Sequence, residues 1–120
     1  MLYDPKWEVE TGIVTVLRSA KNLIADPRRW TCGEYARDAT GRHTDVDDKS
    51  AVSFCSVGAL AVVLGVGVRQ AEKSPACQYL EKAAAEQGIP YAHQVNDKGH
   101  AKAMAMFDRA IELAEAESRP

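Results

Sequence analysis

The chain is 120 residues long, 46% hydrophobic and 27% charged, with 15 Lys and Arg against 17 Asp and Glu. That is the size and make-up of one soluble globular domain able to bury a core unaided. The net charge of −2, spread evenly along the chain, argues against a nucleic-acid partner, because such domains carry a basic stripe or a high pI.

The N-terminal stretch Met1 to Glu10 carries Asp4, Lys6, Glu8 and Glu10, where a secretion signal would need an apolar run. It reads as an irregular lead-in. Thr11 to Ala25 is a helix: Ile13, Val16, Leu17, Ala20, Leu23 and Ile24 share one face at helical spacing. Asp26-Pro27 ends it, since the residue before proline is pushed out of the α region. From Arg28 to Asp45 the helical period is lost and turn residues gather. Tyr35-Ala36-Arg37 and Arg42-His43-Thr44 can pair as a small hairpin, which must lie against helices to persist. Trp30 is its natural anchor.

Ser50 to Val68 holds no charged residue. Wound as a helix, residues 50–64 are apolar on every side, the mark of a helix at the centre of a bundle. Asp47 or Asp48 is the expected cap and Gly65 the stop. The stretch has membrane-spanning length. Its three serines and three glycines, and the apolar stripes of the flanking helices that need it as partner, argue for a core element instead. Arg69 to Lys73 makes a single turn. Ser74-Pro75 opens a helix with Ala76, Tyr79, Leu80, Ala83 and Ala84 inward, closed by Gly88. Ile89-Pro90-Tyr91 is extended. The last helix, Gly99 to Glu117, turns Ala103, Met104, Phe107, Ala110, Ile111 and Ala114 to the core, leaves Met106 and Leu113 on an exposed shoulder, and frays at residues 118–120. The expected fold is mainly α, with about four helices packed around 50–64 and a small hairpin or irregular insert at 28–45.

Several chemistries are excluded by spacing. Cys32, His43, Asp45, Asp47, Asp48, Cys77, His93 and His100 include no close ligand pair, so no metal site is predicted. Gly65-Val66-Gly67 lacks the rest of a dinucleotide fingerprint, and no phosphate loop exists, so no cofactor is predicted. The three widely spaced cysteines fit free thiols in a reducing cytoplasm.

Three readings of function remain. The first is a small cytosolic protein-binding or regulatory domain without catalytic activity. It would act through Arg28, Arg29, Trp30, Tyr35 and Arg37, residue types enriched at binding hot spots and carried here on an irregular segment. The second is a cysteine-dependent hydrolase or transferase using Cys55 with His100, and Asp97 to orient the base. Against it, a buried cysteine is ordinarily a small hydrophobe, and Asp47 and Asp48 would raise its pKa. The third is a helix-turn-helix regulator over residues 59–73. Ser74-Pro75 cuts its second helix too short to lie along a major groove.

The pattern Arg29-Trp30-x-x-Gly33-x-x-Ala36-Arg37-Asp38, then Cys55-x-x-Gly58-Ala59-Leu60, then Asn96-Asp97 before a final amphipathic helix, resembles a family of small uncharacterised bacterial and phage proteins. The resemblance spans about Leu17 to Ala114, with Val95 where that family suggests an aromatic. It implies no activity, cofactor or catalytic residue. The setting it implies is that of small accessory proteins, inhibitors or adaptors, that bind another protein.

Overall fold

A computed structural model describes residues 5–118, with side chains from Gly12 to Glu117. The first helix, α1 (Pro5–Leu23), begins inside the stretch expected to be an irregular lead-in, whose residues 1–4 lie outside the described part. Its stripe falls inward as the spacing predicts, with Leu17, Ala20 and Ile24 fully buried. Asp26 then turns the chain: its carboxylate accepts a hydrogen bond from the Arg28 amide at 2.9 Å and caps a 3-10 turn at Pro27–Arg29.

The insert that follows is a small sheet rather than a lone hairpin. Strand β1 (Ala36–Arg37) pairs antiparallel with β2 (Ser53–Phe54), Ala36 opposite Phe54 and Arg37 opposite Ser53. The predicted pairing of 35–37 with 42–44 is present in reduced form on the other edge of β1. It consists of the Arg37–His43 bridge, with the Asp38 amide donating to the Arg42 carbonyl and Thr44 to Ala36. Gly41, at φ +85°, makes the return possible. Trp30 adds a parallel bridge to Phe54.

The strand β2 corrects the expected start of the central helix. Residues 53–54 are strand, residues 51–52 lead into it outside any helix, and the Val52 amide donates to the Arg37 carbonyl at 2.9 Å. Helix α2 therefore runs Ser56–Leu64, not from Ser50, and its cap is Cys55, not Asp47 or Asp48. Asp48 instead closes a local turn by accepting from the Ser50 amide. An apolar run has no period of its own, so nothing local separates its extended part from its helical part. Ser56 to Ala61 are buried, whereas Val62 is exposed and α2 surfaces before Gly65 (φ +69°) ends it.

Helix α3 (Val68–Glu72) is the expected single turn. Helix α4 (Pro75–Ala85) opens on Ser74, whose hydroxyl accepts from the Cys77 amide at 3.2 Å. A short α5 (Ala92–Asn96) follows the extended link 89–91, where no helix was predicted, and α6 (His100–Ser118) closes the fold as expected. The four predicted helices are thus present as α1, α2, α4 and α6, and two five-residue pieces, the expected turn α3 and the unexpected α5, bring the described α-helices to six.

Helix α1 lies along α6, α6 along α4, and α2 packs against α1 and α3. Because α6 is gripped from both sides, its apolar arc is wider than one stripe: Met106, expected on an exposed shoulder, is fully buried beside Phe107, and Leu113 packs against the core. Ion pairs Arg18–Glu115 and Arg109–Glu86 tie α6 to α1 and α4 at the surface, where such pairs contribute little. No helix among the described residues is long and apolar enough to cross a membrane.

Candidate functional site

The residues of the insert and of α5 meet around one buried side chain. Asn96 is fully buried; its Oδ1 accepts from the Trp30 indole N–H at 2.9 Å, from the Ser56 amide at 3.1 Å and from the Ser56 hydroxyl at 2.7 Å. Its Nδ2 donates to the Thr31 carbonyl at 3.0 Å. One amide therefore joins the insert, the start of α2 and the end of α5. A second junction lies beside it. The Cys55 amide donates to the Tyr35 carbonyl at 3.1 Å, and Cys55 Sγ accepts from the Gly58 amide at 3.3 Å as the cap of α2.

These junctions hold one wall of an open cleft of about 660 Å³. Gly33, Glu34 and Tyr35 form the insert side; Cys55 and Val57 come from the start of α2, Glu72 and Lys73 from α3, Glu81 from α4, and Tyr91, His93, Asn96 and Asp97 from α5 and its flanks. Tyr35 and Tyr91 are exposed, and the Tyr91 ring stacks on His93 with centroids 5.5 Å apart. The Tyr35 hydroxyl donates to Glu72 at 2.7 Å, and that bond to a carboxylate, with some burial, pushes its pKa up to about 12. The Glu81 carboxylate accepts from the Ala92 amide at 2.6 Å and so supplies the start of α5. Burial raises its pKa, the Glu72 charge adding to the effect. Asp97 accepts from the Gly33 amide at 3.3 Å.

The five contact residues expected from the sequence divide. Arg28 and Arg29 are exposed on the 3-10 turn, Arg28 paired with Asp26 at 2.8 Å. Tyr35 lines the cleft. Trp30 points inward to Asn96 and meets His100 edge-on, with centroids 5.7 Å apart. Arg37 knits the insert, donating to the Thr31 hydroxyl and to the carbonyls of Cys32 and Gly41.

Cys55 and Asp97 share the cleft, but His100 is not among its lining residues. Its Nε2 donates to the Ile24 carbonyl at 2.8 Å behind Trp30, and the histidine of the cleft is His93. Cys55 is 5% exposed, and burial raises the pKa of its thiol, with Asp97 pushing the same way. A helix N-terminus would lower it, so burial outweighs the helix here. No cluster of metal-ligating side chains occurs among the described residues. Nothing in the sequence singles out Glu72, Glu81 or Tyr91 for the site, because each comes from a separate element and none sits in a motif.

The quoted motifs are thus the two junctions of the insert: Trp30 and Asn96 at one, Cys55 and Gly58 at the other. A family model matches residues 9–113. The chain belongs to the Family of unknown function (DUF6197). No curated protein and no solved structure matches it.

The thiols give a direct check. Cys32 is partly exposed, whereas Cys55 and Cys77 are buried, the Cys77 thiol pushed by burial from 9.0 up to about 12. Native-state alkylation near pH 8 is expected to label Cys32 first and to reach Cys55 and Cys77 only on unfolding. Fast labelling of Cys55 would mean a stabilised thiolate. The raised folded pKa of Cys77 also fixes a sign: its contribution to stability is complete below about pH 9 and is lost as pH climbs toward 12.

Proposed function

We propose that the protein is a non-catalytic protein-binding domain of regulatory or adaptor type, and that the cleft beside the insert is its contact site. One observation carries this reading: Tyr35 and Tyr91, two of the four exposed large hydrophobic residues described, both line that cleft. Tyrosine supplies large contact area at low entropic cost and is enriched at interfaces. The capped, buried thiol and the turned-away His100 favour binding over the cysteine-enzyme reading. In this proposal Tyr35, Tyr91, Arg28 and Arg29 touch the partner, while Trp30 and Arg37 hold the wall that presents Tyr35.

The test is affinity capture followed by titration of the purified partner against variants. Tyr91→Ala, at an exposed ring, is expected to weaken that complex about tenfold or more while the melting temperature holds. Arg29→Glu should weaken it as well. A partner that binds the wild type and Tyr91→Ala alike overturns the assignment of the cleft.

A further inference from the structure

We infer that the cleft receives a lysine or arginine side chain carried on an exposed segment of a partner protein; this rests on the protein-binding reading and names what enters the site. The argument starts from charge. Four carboxylates, Glu34, Glu72, Glu81 and Asp97, line the space, against Lys73 and His93. Glu34 is paired at 2.8 Å, to His43. For Glu72, Glu81 and Asp97 no cationic side chain lies within ion-pair distance among the described residues. What they accept is a tyrosine hydroxyl, two backbone amides and, at Glu81, the Cys77 thiol at 3.9 Å. Lys73 lies in the same lining and forms no ion pair with them. Each of these three carboxylates keeps acceptor capacity beyond these bonds, Glu81 with two of them and Glu72 and Asp97 with one each.

The second argument is independent of the carboxylates. Two exposed tyrosine rings belong to the same lining, and a cation over a tyrosine face is attracted by the ring in addition to any carboxylate. A long side chain with a charged tip suits such a site, because its methylene stem covers apolar wall while its head reaches acceptors. The volume, about 660 Å³, holds one such side chain and its flanking backbone. The complementary sign also guides encounter with a basic segment and repels a polyanion.

The probe is a short fluorescein-labelled peptide alternating lysine and arginine with small residues, read by anisotropy beside its glutamate counterpart. The basic peptide is expected to bind and the glutamate peptide not. Affinity should fall as salt is added, since the attraction at the mouth is screened. Glu72→Gln keeps an acceptor for the Tyr35 hydroxyl and removes one charge. It should weaken the peptide about tenfold at an unchanged melting temperature. The inference is overturned if the basic peptide fails to bind, or binds wild type and Glu72→Gln alike. It is also overturned if spermidine or calcium ions bind as tightly as the peptide. Should a captured partner be lost on Tyr91→Ala yet be indifferent to Glu72→Gln, the protein-binding reading stands and the basic side chain falls.

Discussion

Gly58→Ala is expected to destabilise the protein by about 3 kcal/mol, at the upper end of what overpacking costs, and to loosen the insert. Helix propensity alone predicts the opposite sign: glycine inside a helix is worse than alanine by roughly 0.5–1 kcal/mol. The reversal comes from what stands beside the residue. A Cβ on Gly58 would lie well inside van der Waals contact with the Tyr35 carbonyl oxygen, and 3.1 Å from its carbon. That carbonyl cannot swing aside cheaply, because it accepts the Cys55 amide that sets the start of α2. The clash is with backbone on both sides, so either the strand pair β1–β2 or the first turn of α2 must shift. The urea midpoint should fall with little change in slope, and Cys55 should become open to alkylation in the native state. An alanine variant as stable as the wild type would mean that the insert does not approach α2 so closely. By contrast Gly67, where a Cβ meets nothing within 4 Å, should accept alanine with little cost.

The same glycine shows where sequence reading reaches and where it stops. Cys55-x-x-Gly58 stood out as a pattern, but its reason is a carbonyl twenty-odd residues upstream in a segment without regular period. Helices α1 and α6 are legible because each keeps a solvent face opposite its apolar arc, although the arc of α6, held between α1 and α4, is wider than a single stripe. The apolar run that ends in α2 has no stripe at all. Its first residues become strand because β1 offers them hydrogen bonds, and that is a fact about Ala36 and Arg37 rather than about residues 51–54. Helix α5 was invisible for a related reason: the acceptor for its first amide is Glu81, on another helix. The cleft is less legible still. Glu72, Glu81, Tyr91 and Asp97 acquire a common meaning only after α3, α4 and α5 fold around it, whereas Tyr35 could be singled out from its neighbours in the insert. The sequence makes Trp30 both an anchor and a contact residue. Its inward indole makes the anchor role concrete, through the side chain on which the other large effect depends.

Asn96→Leu should cost about 3–5 kcal/mol, measured as loss of urea stability, although leucine shares the branched shape of asparagine and is far more hydrophobic. The apolar gain is outweighed because Asn96 is the shared acceptor for three donors and the donor for one carbonyl. Its removal strands the Trp30 indole N–H, the Ser56 amide and hydroxyl, and the Thr31 carbonyl around a site closed to water. Leaving one such buried group unsatisfied costs about 1–3 kcal/mol. Trp30→Phe is the control. It deletes one donor together with its need, so it should cost only about 1 kcal/mol of hydrogen bonding plus whatever packing the smaller ring gives up. Combining the two should be less than additive, since Asn96→Leu has already broken the bond that Trp30→Phe removes. Asn96→Asp adds a test of sign. It keeps an acceptor but loses the donation to Thr31, and a carboxylate there is buried without a cation, so its folded pKa is raised. Stability of that variant should therefore be greatest at low pH and fall as pH rises past the ordinary carboxylate range. If Asn96→Leu proves no worse than Trp30→Phe, the insert is not held through this amide, and the wall of the cleft must be fixed by β1 and β2 alone.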